Sequence, residues 1–100
     1  MTGKQKSFLR AQAHDFQPII QVGKNLVTDA TLETVDKALE ARELIKISVL
    51  QNCMAEPKEV ATAIAESTGA TIVQVIGRTI ILYKRSSNKE NREISNRMPK

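Results

Sequence analysis

The chain has 100 residues, 41% of them hydrophobic and 26% charged, with one cysteine and a formal net charge of +4. A lone Cys53 excludes an internal disulfide, no Cys/His cluster suggests zinc, and no apolar run approaches the roughly 20 residues that cross a bilayer. The length is that of one domain, and the composition reads as reduced and cytoplasmic, with no secretory signal in the first ten residues.

The charge is unevenly laid out. Residues 1–24 carry a net +3, residues 25–77 a net −4 and residues 78–100 a net +5. Two basic ends flanking an acidic middle fit a face that binds a polyanion, although a solvated surface with a basic tail would show the same pattern.

Thr2-x-x-Gln5 has the form of a capping box and predicts a first helix from about Gly3 to Ala13, with Phe8 and Leu9 on its buried side. Lys6 and Arg10 are four apart and share a face. Pro18 to Val22 is a short apolar run and reads as a strand. The loop Gly23-Lys24-Asn25-Leu26 follows, and Thr28 can cap a second helix in which Leu32, Val35, Ala38 and Leu39 recur at helical spacing. Leu44 to Leu50 is a strand, with Ile45, Ile47 and Val49 on one face and Lys46 and Ser48 on the other. Pro57 suits the first turn of a third helix, and Gly69 suits the left-handed position after it. Thr71 to Ile76 and Thr79 to Lys84 are β-rich runs joined by a two-residue turn, Gly77-Arg78. From Ser86 onward the chain is polar and basic without periodicity, and the expectation is a flexible tail over residues 86–100, outside a domain of residues 1–85.

The order α-β-α-β-α-β-β predicts an α/β sandwich with a four-stranded mixed sheet. If the first three strands run parallel, the Gly77-Arg78 turn lies at the same edge as Gly23. A first helix antiparallel to the first strand would bring Lys4 and Lys6 there as well. Open α/β sheets bind ligands outside the carboxyl ends of their strands. Lys4, Lys6, Lys24 and Arg78 are therefore expected to form one basic edge. The loop itself leads into a helix N-terminus, where free N–H groups and the helix dipole favour a phosphate. Gly23 allows close backbone approach, Lys24 adds charge, and Asn25 and Thr28 add polar groups.

The segments Thr2-Gly-Lys-Gln-Lys-Ser-Phe-Leu-Arg10, Ala13-His-Asp-Phe-Gln-Pro18, Gln21-Val-Gly-Lys24, Ala38-Leu-Glu-Ala-Arg-Glu-Leu-Ile-Lys-Ile47, Val73-Gln-Val-Ile-Gly77 and Ile81-Leu-Tyr-Lys84 occur in one order and spacing. Together they resemble the CRM domain, in its stand-alone bacterial YhbY type. The resemblance spans residues 2 to about 84. It implies a fold similar to the C-terminal domain of bacterial translation initiation factor three. It also implies RNA binding, on ribosomal RNA in precursors of the large ribosomal subunit. Members of the family use a GxxG loop between the first strand and the second helix as part of the RNA surface. Here the first glycine is Gly23 and the second position is Leu26. A left-handed backbone there would carry a steric cost.

The candidate RNA-binding residues are Lys4, Lys6, Arg10, Gly23, Lys24, Asn25, Thr28 and Arg78. His14, alone at a helix end, reads as a capping or packing residue. Phe8, Phe16 and Tyr83 read as core or groove-edge residues, with no RRM-type aromatic motif, so recognition by RNA shape and backbone is expected. No triad, metal set, Walker loop or carboxylate dyad is present, so no catalytic residues, metal or cofactor are expected. The expected state is a monomer with RNA as partner and no membrane association. The alternative reading is a module that docks on a ribosomal protein or an assembly GTPase, its basic ends incidental.

Overall fold

Two residues decide where the first helix begins. The Thr2 hydroxyl accepts from Gln5 N at 3.1 Å, and Gln5 Oε1 accepts from Thr2 N at 3.0 Å. The computed structural model covers Met1–Lys100 and runs α1 (Gly3–Ala13), β1 (Ile20–Val22), α2 (Asp29–Arg42), β2 (Leu44–Val49), α3 (Pro57–Thr68), β3 (Thr71–Ile76), β4 (Thr79–Tyr83), a 3₁₀ turn (Lys89–Asn91) and α4 (Glu93–Arg97). Thr28 caps α2 by a second reciprocal box with Thr31. Pro57 opens α3 and Gly69 closes it at φ 78°. Gly77, at φ 56°, makes the β3–β4 turn. No helix is long and apolar enough to cross a membrane.

The sheet is four-stranded and mixed, as the element order predicts, with strand order β1-β2-β4-β3. β1 runs parallel to β2, and β4 is antiparallel to both β2 and β3. β1, β2 and β3 therefore point the same way, and the Gly77-Arg78 turn lies at their carboxyl ends. β1 is shorter than the apolar run from Pro18, because Pro18 has no N–H to give a ladder. Pairing begins where Ile19 N donates to Lys46 O at 3.1 Å.

Each face of the sheet has its own core. Ile45, Ile47, Val49, Ile80 and Leu82 pack under α2 and α3 against Val35, Leu39, Val60 and Ile64. On the other face Leu44, Val73, Ile81 and Tyr83 pack against Leu9 and Ala13 of α1. Burying one such side chain contributes about 1.5–3 kcal/mol, so neither face is dispensable. Lys46 lies on the α1 face, as its alternation requires. Its Nζ donates to the carbonyls of His14 at 3.2 Å and Phe16 at 3.1 Å, which fastens the end of α1 over β2.

The tail departs from expectation. The sequence predicts a flexible segment over residues 86–100; the structure docks it. Ser86 is buried, and Ile94 and Met98 pack against the α1-side core. Gln5 Nε2 donates to Pro99 O at 3.1 Å. The physical reason is twofold. Ile94 and Met98, four apart, make a small apolar face that the polarity of the whole segment hides. The polar groups find acceptors on α2: Ser86 N and Ser95 N donate to the two carboxylate oxygens of Glu43 at 2.8 and 2.9 Å, and Ser86 Oγ donates to Glu40 O at 2.7 Å.

Candidate nucleic-acid interface

The loop after β1 is built tightly. Leu26 N donates to Gly23 O at 3.0 Å and closes it as a turn. A Cβ on Gly23 would stand 3.2 Å from Asn52 Oδ1 and 3.5 Å from Leu50 Cδ1, so the bare backbone is what fits beside the loop after β2. Leu26 sits at φ 58°, the left-handed conformation that costs an L-residue about 1–2 kcal/mol. The second loop position thus keeps the glycine-type backbone without the glycine. Lys24 and Asn25 are exposed between these two anchors, and Lys24 makes no ion pair or hydrogen bond. The Thr28 hydroxyl accepts from Thr31 N at 3.1 Å, so its work is to shape the N-terminus of α2.

Arg78 does lie at this edge. Its carbonyl accepts from Val49 N at 2.8 Å, and its guanidinium donates to Val49 O at 2.8 Å and Leu50 O at 2.7 Å. Those bonds satisfy carbonyls at the end of β2 and tie the hairpin to the loop that also touches Gly23. Arg78 arrives as a brace, with its remaining N–H groups open to a ligand.

The two lysines of α1 expected at this edge part company. α1 packs on β2, β4 and β3, toward the far side of the sheet from β1. Arg10 and His14 flank a depression lined by Gln74, Ile76 and Thr79, toward the hairpin end. Lys6, one turn earlier on the same flank, points the same way. Lys4 is two residues from Lys6, about 200° round the helix, and faces elsewhere. Lys46 fixes the end of α1 over β2 through the His14 and Phe16 carbonyls. The hairpin end therefore carries Arg10, Lys24 and Arg78, with Lys6 beside Arg10 and Lys4 apart.

Sequence reasoning missed the opposite end of the sheet. Glu43 is fully buried at φ 64°, and its carboxylate accepts from Ser86 N, Ser95 N and the Ser95 hydroxyl. Glu40, one turn before it, accepts from Ser87 N and the Ser87 hydroxyl. The Ser87 hydroxyl, then its backbone N–H, holds the Glu40 carboxyl below its ordinary value, with a smaller pull from Lys84. A signal was present: two carboxylates at the negative end of α2 oppose the helix dipole and call for donors from elsewhere. No cluster of His, Cys, Asp and Glu groups of metal-binding size exists.

Comparison with known proteins covers nearly the whole chain. The family model for the CRS1/YhbY (CRM) domain matches residues 1–84. The "Probable RNA-binding protein YqeI" of Bacillus subtilis is 53% identical over 94 residues, covering 94% of this chain and 96% of its own. An RNA-binding protein of Haemophilus influenzae is 35% identical over 86 residues, covering 86% and 87%. The solution structure of a candidate RNA-binding protein from Staphylococcus aureus superposes with a TM-score of 0.77 at 41% identity, over 99% of both chains. With its loop, sheet order and full-length matches in agreement, the chain belongs to the CRS1/YhbY (CRM) domain family.

Proposed function

We propose that this protein is a non-catalytic RNA-binding factor that acts on ribosomal RNA in precursors of the large ribosomal subunit, as a cytoplasmic monomer. The observation that carries the reading is the Gly23–Leu26 loop. It keeps a left-handed backbone at Leu26, holds Lys24 free in solvent, and leads into the capped N-terminus of α2. Left-handed strain kept at an exposed loop supports a backbone path shaped for a ligand. A helix N-terminus beside a free lysine suits a phosphate. The names of the relatives support RNA as the polyanion, and the basic hairpin end supplies further charge.

The test is titration with ribosomal RNA fragments at two salt concentrations. Lys24→Ala is expected to weaken binding several-fold and to lower the salt slope by about one unit, because one phosphate contact is lost. Binding equal to the parent at both salts would remove this loop from the RNA surface. For the cellular target, crosslinking in growing cells is expected to recover large-subunit ribosomal RNA from incomplete particles. Recovery of other RNAs alone would overturn that part of the reading.

A further inference from the structure

β1 is only three residues long and pairs with Ile47–Val49 alone. The start of β2, Leu44 and Ile45, therefore has no strand beside it on that side, since Ile19 N already takes the Lys46 carbonyl. A groove of about 560 Å3 opens there. Phe16 and Gln12 wall it from the end of α1, Arg42 from the end of α2, and Ile94 and Arg97 from α4. Phe16 and Ile19 are 37% and 42% exposed within it, whereas Tyr83 is buried and Phe8 half-buried in the α1-side core. Arg42 has no ion-pair partner. Arg97 meets only Glu93, at 3.8 Å in an exposed pair of little energetic weight.

We propose that this groove holds one unstacked nucleotide of a single-stranded RNA segment, its base against Phe16 and its phosphate between Arg42 and Arg97. The proposal rests on the RNA-binding reading and adds a second contact to it. An exposed ring flanked by two arginines combines a stacking platform with planar, bidentate phosphate donors. Gln12 offers a donor and an acceptor to a base edge. Lys46 Nζ, bound to the Phe16 carbonyl, adds a third positive charge to the lining, against Glu90 and Glu93 on the tail side. The competing occupant is a peptide strand on the open edge of β2. That edge is two residues long beyond the Ile19–Lys46 bond, well short of an ordinary strand, and arginines rather than side-chain pockets stand at its rim. The groove and the Gly23 loop lie at the two ends of β1, about 10 Å apart, with exposed Gln21 between them. One RNA strand can follow β1 from groove to loop. α4 forms a wall of this site only while Glu43 holds Ser95, so the docked tail is part of the surface.

The test uses the full chain with a single-stranded 12-nucleotide RNA and a duplex of the same length. The variants are Phe16→Leu, which keeps an apolar side chain, and the surface pair Arg42→Gln with Arg97→Gln; Lys24→Ala is the reference. Phe16→Leu and the arginine pair are each expected to weaken single-strand binding about five-fold or more while leaving duplex binding unchanged, because only an unpaired base can leave its stack. Nucleoside monophosphates are expected to shift the Ile19 and Ile94 methyl signals of the parent and not those of the arginine pair. If both variants bind the single strand like the parent while Lys24→Ala weakens it, the groove is not a nucleotide site and the RNA reading stands. If the parent binds neither RNA, the RNA reading itself fails. Shifts of the Leu44–Lys46 amides on adding an extended peptide, with none on adding nucleotides, would also overturn the proposal.

Discussion

Two residues outside glycine have positive φ, and they stand at opposite ends of the sheet. Leu26, at 58°, is 41% exposed in the loop after β1. Glu43, at 64°, is fully buried where α2 turns into β2. The difference lies in what offsets the strain. Glu43 is held by its side chain: the turn aims a carboxylate at the Ser86 and Ser95 donors, and the hydrogen bonds offset the backbone cost. Leu26 has no such compensation, and its side chain makes no hydrogen bond. At Glu43 the conformation serves the side chain; at Leu26 it serves the path of the main chain. The first is a structural clasp, and the second fits a surface that a ligand must meet.

The largest expected effect breaks the clasp. Glu43→Ala leaves the Ser86 and Ser95 N–H groups without acceptors in a buried setting, and each such loss costs about 1–3 kcal/mol. The expected destabilisation is about 2–4 kcal/mol in urea unfolding, with faster amide exchange through residues 86–98. Glu43→Gln is expected to lose about half as much, since one amide oxygen still accepts. A Glu43→Ala chain as stable as the parent, with its tail still protected, would mean that Ile94 and Met98 dock the segment unaided.

A smaller effect sharpens the other half of the comparison. Leu26→Gly removes a left-handed cost of about 1–2 kcal/mol and adds unfolded-state entropy worth about 0.5–1 kcal/mol. The net is a stabilisation of between about 0 and 1.5 kcal/mol, with RNA affinity nearly unchanged because the backbone path is the same. Before φ is known, the entropy term alone argues for destabilisation; the observed conformation reverses the sign. Leu26→Val is expected to destabilise instead, since a β-branched residue tolerates positive φ least.

The smallest effect is a pH dependence at the clasp's outer member. The Glu40 carboxyl titrates below its ordinary value because Ser87 donates to its charged form. A depressed folded-state value means the stabilisation is complete above the ordinary glutamate range and is lost as pH falls through the lowered value. The Ser87 amide is therefore expected to lose exchange protection as pH drops from about 5 toward 3, with little change in the sheet. Glu40→Gln is expected to flatten that response. Protection of Ser87 that holds through this range would show that Glu40 does not anchor it.

Much of this molecule was legible residue by residue. Thr2 with Gln5, Thr28, Pro57, Gly69 and Gly77 each act within about four residues of themselves, through caps, a fixed φ or a permitted left-handed turn. The alternation of Ile45, Ile47 and Val49 needs nothing beyond the pleat. These local energies set the element order, the loop at Gly23 and the position of Lys24 without reference to the rest of the chain. The tertiary structure alone decided the insertion of β4 between β2 and β3, the placing of α1 over β2, β4 and β3, and the docking of the tail. Each depends on groups far apart in the chain: Lys46 with His14, 32 residues apart, and Ser95 with Glu43, 52 apart. Such pairs form only once both sheet faces are in place, and a single buried carboxylate then outweighs the polarity of the whole segment it holds.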